Sequence, residues 1–246
     1  DFRFVDSHTD PIDAREPEPM AERRIRLEPS FLCFQPPPEV PELMLPPCAS
    51  GGYVTLGSFN NLNKLTQPML KTWFEILAEA PGYRLALKSP AFSNPEVVNR
   101  FRAMQDQAEI ERHRVDLLPR SPSIEQHLET YHRIDIALDT FPYSGTTTTF
   151  EALLMGCPVI TLEGRSHRSR VTGSILHTLG RNEWRTADRA GYQHAVHDLA
   201  SDPARLSEYR WDLRRQLLNS PLCAPDRFAS TFLRACHEAF DPINRQ

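Results

Sequence analysis

No two of the five cysteines, Cys33, Cys48, Cys157, Cys223 and Cys236, stand at Cys-x-x-Cys spacing, so a zinc or dithiol site has no support in the pattern. An odd number of unpatterned thiols fits a reducing compartment better than a disulfide framework. No apolar run approaches the ~18 residues that suggest a membrane span. The acidic N-terminus lacks the apolar stretch of a signal peptide. The expectation is a soluble, cytoplasmic protein with no membrane partner. Charge of one sign is lacking as well. The 28 Lys and Arg residues face 32 Asp and Glu, a net charge of -4, which gives no global pull toward nucleic acid or anionic lipid. There is no internal repeat and no low-complexity block.

What remains is an ordinary globular composition, 40% hydrophobic and 24% charged over 246 residues. That is enough for one domain, or two small ones, with a sizeable core. The chain opens without Met in the strand-like DFRFVD and is expected to be a fragment or processed form. Residues 1–50 hold ten of the 22 prolines, including Pro36-Pro37-Pro38 and Pro46-Pro47. Proline removes a backbone donor and fixes φ, so this stretch reads as an extended connector. It carries a short strand at Phe2–Val5 and an apolar anchor at Phe31–Phe34, FLCF.

From Tyr53 the texture changes. YVTLGS, RLALKS, VDLL, IDIALD and PVITL are short apolar runs that read as strands, with a further short strand near Trp184. Between them lie helical patterns. Gln67–Ala80 repeats Leu70, Trp73, Ile76 and Leu77 and is broken by Pro81-Gly82; Pro95–Gln107 repeats Val97, Val98, Phe101 and Met104. Further helices are expected at 123–132, 147–155, 166–179, 190–200, 203–218 and 225–240. IDIALD is nearly all apolar, as a strand covered on both faces must be. Alternation of this kind predicts an α/β fold: a parallel, Rossmann-like sheet of five or six strands covered by helices. The division expected is a connector with the end of a preceding lobe over 1–50, the lobe over 51–224, and a C-terminal helix over 225–246 that packs back toward that preceding lobe.

In such sheets ligands bind beyond the carboxyl ends of the strands, which directs attention to three loops. In LDTFPYSGTTTTFEALLMG a strand ends at Asp139, a turn with Pro142 and Gly145 follows, and four threonines open a helix. One cap needs one hydroxyl, and β-branched residues cost helix propensity, so the surplus points to function. The amides and hydroxyls of Gly145, Thr146, Thr147 and Thr148 suit a diphosphate at a helix N-terminus. Glu151, one turn on, is placed to accept ribose hydroxyls, although a first-turn acid also stabilises the helix dipole. In LGSFNNLNKLT, Asn61 and Lys64 can reach a phosphate, an ammonium being suited to offset leaving-group charge; by composition alone a solvated lysine reads as well. In LPRSPSIEQHLETYH, Ser121 is a candidate contact. His127 reads equally as a nucleobase partner or as a surface or capping histidine. His194 and His197 lack a third zinc ligand. Arg168 and Arg170 of RSHRSR are either phosphate-side or merely exposed.

GSFNNLNKLT, DIALDTFPYSGTTTTFEALLMGCPVITLEG and SRVTGSIL, in this order, resemble the C-terminal catalytic lobe of the protein O-GlcNAc transferase and SPINDLY family. The resemblance runs from about 53 to 240, and residues 1–35 resemble the end of the preceding lobe. FPYSGTTTT is closer to SPINDLY-like and bacterial members than to animal enzymes, which have histidine where Thr146 stands. The resemblance implies a GT-B fold, two Rossmann-like lobes across a cleft, and an inverting glycosyltransferase. The donor would be UDP-GlcNAc, with GDP-fucose as the alternative, and the acceptors Ser or Thr hydroxyls of proteins. No metal is expected, in keeping with the lack of an Asp-x-Asp motif. Lys64, as catalytic residue, and Asn61 match diphosphate-side positions, His127 the base contact, Thr146, Thr147 and Thr148 the phosphate turn, Glu151 the ribose carboxylate, and Tyr143 a position near the sugar. A lysine and an arginine near the base in animal enzymes correspond roughly to Ser123 and Thr130, which puts the base contact in doubt. The family's tetratricopeptide repeats and N-terminal catalytic lobe have no counterpart here. By itself the fragment is therefore expected to bind nucleotide sugar, or to act as an interaction module, without turnover.

Overall fold

A computed structural model describes residues 1–11 and 21–240. Parts of the expected connector and C-terminal segment, 12–20 and 241–246, lie outside the described residues. Strands β1 (Phe2–Val5) and β2 (Arg23–Arg26) pair in parallel as a two-stranded ribbon. The proline-rich stretch then runs without regular structure to the short helix α1 (Cys48–Gly51). The lobe follows as β3 (Val54–Ser58), α2 (Gln67–Glu79), β4 (Tyr83–Lys88), α3 (Pro95–Gln107), β5 (Val115–Leu118), α4 (Ile124–Glu129), β6 (Ile136–Leu138), α5 (Thr147–Leu154), β7 (Val159–Leu162), α6 (Val171–Leu179) and β8 (Arg185–Thr186). Three helices, α7 (Arg189–Ala200), α8 (Pro203–Leu218) and α9 (Pro225–Phe240), end it.

The lobe sheet has six strands in the order β5-β4-β3-β6-β7-β8, and every pairing is parallel. Counted from β3 as first, this is the 3-2-1-4-5-6 order of dinucleotide-binding sheets. The order reverses between β3 and β6, so the loops leaving these two strands flank the crevice. All five residues of β3 and all three of β6 are buried, as their apolar runs require in a sheet covered on both faces. Leu56, fully buried, sits between Leu85 of β4 and Ile136 of β6.

Local chemistry fixes the helices. Thr66 caps α2 by accepting from the Met69 amide, and Pro68 occupies its first turn. Leu70, Trp73, Ile76 and Leu77 are buried as their spacing predicts. Trp73 also donates its indole N–H to the Tyr192 hydroxyl at 3.1 Å, tying α2 to α7. In α3 only Phe101 of the expected apolar face is buried, because this helix leads to the edge strand β5; Gln105 is buried instead, its amide donating to the Glu111 carbonyl. The helix expected over 123–132 tightens into a 3₁₀ turn at Thr130–Arg133, which carries Tyr131 into the core. That expected over 166–179 begins as a separate 3₁₀ turn, His167–Ser169.

The anchor FLCF packs on the lobe itself. Phe34 stacks on Phe150 of α5 with ring centres 4.7 Å apart and planes 1° from parallel, and its amide donates to the Leu222 carbonyl. The connector is thus strapped to the helix that opens with the threonines. Helix α9 returns to the ribbon, where Phe232 meets Phe4 at 4.8 Å and Phe240 meets Phe2 at 5.2 Å.

Candidate active site

The loop after β6 is organised by Asp139. One carboxylate oxygen accepts from the Gly145 amide and the other from the Thr161 hydroxyl, both at 2.7 Å. Burial raises the pKa of this carboxyl, and hydrogen bonds from Thr161, Thr172 and Gly145 oppose the rise. The turn is tight. A Cβ at position 145 would lie 2.7 Å from Thr149 Oγ1 and 2.8 Å from Thr148 Oγ1, so only glycine fits.

The four threonines divide their work. Thr149 is buried and exchanges a 2.9 Å hydrogen bond with Thr172. Thr148 donates to Asn60 Oδ1 at 2.9 Å, bridging to the loop after β3. Thr146, half-buried, occupies the N-cap position without a side-chain cap bond, and Thr147 is exposed. The latter two residues lie at the helix's positive end with the amides of Thr147 and Thr148, which no intrahelical carbonyl serves; the Thr149 amide already donates to the Thr146 carbonyl. The Gly145 amide is committed to Asp139, so that residue shapes the turn rather than offering its N–H.

Across the crevice, the Lys64 ammonium donates to the Ser144 carbonyl at 2.9 Å and lies 4.1 Å from the centre of the Tyr143 ring. Burial pulls its pKa down, and the nearby Asp139 pushes it up. Tyr143 is 49% exposed, leaving one ring face for a ligand. Asn61 is exposed and caps the 3₁₀ turn Leu62–Lys64 by accepting from the Asn63 amide. Its neighbour Asn60 makes the bridge to Thr148.

The third loop joins the site through a residue that the sequence analysis passed over. Lys88, the last residue of β4 and 5% exposed, donates to Ser121 Oγ at 2.7 Å, His127 Nδ1 at 2.6 Å and Thr130 Oγ1 at 3.1 Å. His127 Nε2 lies 2.9 Å from Glu151 Oε2, which is also 3.2 Å from the Tyr131 hydroxyl. The signal was a lone lysine ending the apolar run RLALKS at the ligand end of the sheet. Burial lowers the Lys88 pKa to about 8, with Glu151 opposing.

Other candidates stand apart. Arg168 is exposed and gives only its carbonyl, to the amide and hydroxyl of Ser144. The Arg170 guanidinium is bound to the Gly164 carbonyl. His194 is exposed, and His197 pairs with Glu79 at 3.1 Å. Among the described residues no cluster of three or more His, Cys, Asp or Glu could hold a metal ion, and no helix is long and apolar enough to cross a membrane.

Known proteins resemble this chain in sequence and fold. The chain is 41% identical over 228 residues to "Probable UDP-N-acetylglucosamine--peptide N-acetylglucosaminyltransferase SPINDLY" of Solanum lycopersicum and 40% identical over 229 residues to its namesake of Arabidopsis thaliana. Each match covers 93% of this chain, which spans about a quarter of the relatives' length (24% and 25%). A mutant O-GlcNAc transferase of Thermobaculum terrenum superposes on all of this chain, and on 45% of its own, with a TM-score of 0.83 and 31% identity. The sheet and its helices are thus a lobe of the GT-B fold. The plant names specify UDP-N-acetylglucosamine, so the GDP-fucose alternative gains no support from them. The model of Glycosyl transferase family 41 matches residues 50–232, from α1 into α9 and across all three loops, and the chain belongs to that family.

Proposed function

We propose that this lobe holds the nucleotide diphosphate of UDP-GlcNAc, and that the intact protein transfers the sugar to Ser or Thr hydroxyls of proteins with inversion at the anomeric carbon. One juxtaposition carries the reading: the Lys64 ammonium donates to the carbonyl of Ser144 in the turn that opens α5, and Glu151 lies on that same helix, which follows β6 where the sheet order reverses. The hydroxyls of Thr146 and Thr147 and the amides of Thr147 and Thr148 receive the phosphates, while the Thr148 hydroxyl stays with Asn60. Glu151 Oε2 is occupied by His127, which leaves Oε1 for the ribose hydroxyls. In the transfer, the acceptor oxygen forms a bond to the anomeric carbon as the bond to the phosphate oxygen breaks. The acceptor proton passes to a base outside the groups described here. Lys64 and the helix end offset the charge that the diphosphate gains as it leaves, and such preorganised electrostatics is often the largest catalytic contribution.

Calorimetry of the chain with UDP, UDP-GlcNAc and GDP tests the binding half. UDP and UDP-GlcNAc are expected to bind and GDP to bind more weakly. A clear preference for GDP overturns the donor, and no binding of any of the three overturns the site.

A further inference from the structure

We propose that Lys88 is a positioning residue that locks His127 and Glu151 into one unit, fixing the imidazole tautomer and, through it, the carboxylate offered to the nucleoside. The inference rests on the nucleotide-binding reading above and assigns a role to a lysine whose three protons all go to acceptors within the protein.

An ammonium carries three protons and no lone pair. Lys88 meets three acceptors, Ser121 Oγ, His127 Nδ1 and Thr130 Oγ1, at 2.7, 2.6 and 3.1 Å. Every proton has a partner, so the group has one orientation. Facing a donor at 2.6 Å, Nδ1 must present its lone pair, and the ring proton therefore sits on Nε2. That proton points at Glu151 Oε2, 2.9 Å away. The carboxylate is thereby held as an acceptor through Oε2, and Oε1 takes no part in these bonds. Tyr131, whose hydroxyl lies 3.2 Å from both Glu151 Oε2 and the Thr148 carbonyl, supports it from the core.

The groups facing Lys88 are Ser121 from the loop after β5, His127 from α4, Thr130 from the turn that follows, and the Phe59 ring, 5.8 Å away, from the loop after β3; the Glu151 carboxylate of α5 and the Tyr131 hydroxyl stand beyond His127. Loss of one proton from the ammonium leaves two donors and a lone pair against three acceptors. One of the three then loses its bond, and His127 is released to change tautomer. Burial brings this event to about pH 8.

Two measurements on the whole chain test the proposal. Nitrogen-15 chemical shifts of His127 report the tautomer without ligand. At pH 7 the wild type is expected to show Nε2 protonated and Nδ1 bare, and Lys88→Met a mixture of tautomers; a protonated Nδ1 in the wild type overturns the proposal. Calorimetry with UDP from pH 6.5 to 9.5 reads the consequence. Affinity of the wild type is expected to fall about tenfold through pH 8. Lys88→Met should be about tenfold weaker at pH 7 and lack the step through pH 8, and Lys88→Arg, which stays charged, should keep its affinity through that step. Wild-type affinity and pH profile in a folded Lys88→Met chain overturn the proposal; should that variant not fold, an alkaline loss in Lys88→Arg equal to the wild type's does so. Absence of UDP and GDP binding to the wild type, with the expected imidazole shifts, would remove the nucleotide reading and leave the lock itself standing.

Discussion

The Nζ of Lys64 and the carbonyl oxygen of Ser144, 80 residues apart in the chain, meet at 2.9 Å across the crevice where the sheet order reverses. The ammonium rests on the backbone of the turn that leads into α5, with the Tyr143 ring 4.1 Å away. A positive charge is thus held, half-buried, beside a helix end that is itself positive, without a carboxylate bonded directly to it. Burial depresses the Lys64 pKa while Asp139, behind the turn, counters the fall. This arrangement favours an anion between the two positive groups.

If the intact protein transfers the sugar as proposed, Lys64→Ala in it is expected to lower kcat by roughly 10²–10³-fold, the usual loss for one electrostatic donor aimed at developing charge. The melting temperature of the chain should move little, because the ammonium makes one bond to a carbonyl and is half-buried. Steady-state kinetics beside a thermal melt separates the two. Turnover near the wild-type value would remove Lys64 from the mechanism.

Gly145→Ala tests the turn itself. The added methyl would meet two threonine oxygens at 2.7 and 2.8 Å and Asp139 Oδ1 at 3.1 Å. Relief requires the first turn of α5 to shift, at a cost of about 1–3 kcal/mol, as for other overpacked sites. UDP affinity should fall together with stability. Unchanged affinity at unchanged stability would mean that the turn can relax without involving the phosphate position.

The strand-and-helix alternation was legible because buried parallel strands read as apolar runs and amphipathic helices repeat at their own period. The sheet contains the five strands read from apolar runs and the short one near Trp184, now β8. The turn that opens α5 stood out in the sequence through its surplus of threonines, and the structure puts it at the carboxyl end of β6, beside the point where the sheet order reverses. Lys88 was not, because a lysine ending a strand looks like any surface charge until the fold brings Ser121, His127 and Thr130 around it. Strand β2 escaped for the opposite reason. RRIR has one apolar residue and forms only because β1 lies beside it, Ile25 opposite Phe4. Asn61 and Asn60 illustrate the limit of reading a loop: adjacent, chemically identical residues divide into a local cap and a bridge across the crevice, and only the backbone's direction decides which is which.

The strap predicts a link between a remote phenylalanine and the site. Phe34 stacks face to face on Phe150 of α5. Phe34→Ala should destabilise the chain by about 2–3 kcal/mol, less than a fully buried aromatic because Phe34 is half-buried. Urea unfolding measures this. A loss below about 0.5 kcal/mol, the range of an ordinary surface substitution, would show that the connector does not brace the helix.

Acid should loosen the contact between the N-terminal segment and the lobe through Glu163. Its carboxylate lies 2.8 Å from His8 Nε2 and 2.8 Å from Arg185 Nε. Room for it comes from Gly173, where a Cβ would fall 1.7 Å from Glu163 Oε1. Burial by itself raises the Glu163 pKa, but the hydrogen bonds from His8 and Arg185 outweigh it and hold the carboxyl at about 2 against its usual 4.5. A depressed carboxyl contributes stability that is complete above the unfolded value and disappears as pH falls through the folded one. The wild type should therefore lose roughly 2–3 kcal/mol from this group between about pH 5 and pH 2. Glu163→Gln, which cannot ionise, should be less stable at pH 7 and lack this part of the acid slope, so the two stability curves converge on acidification. Guanidinium midpoints measured across that range decide the matter: parallel curves would show that the pair with His8 and Arg185 carries no net stabilisation.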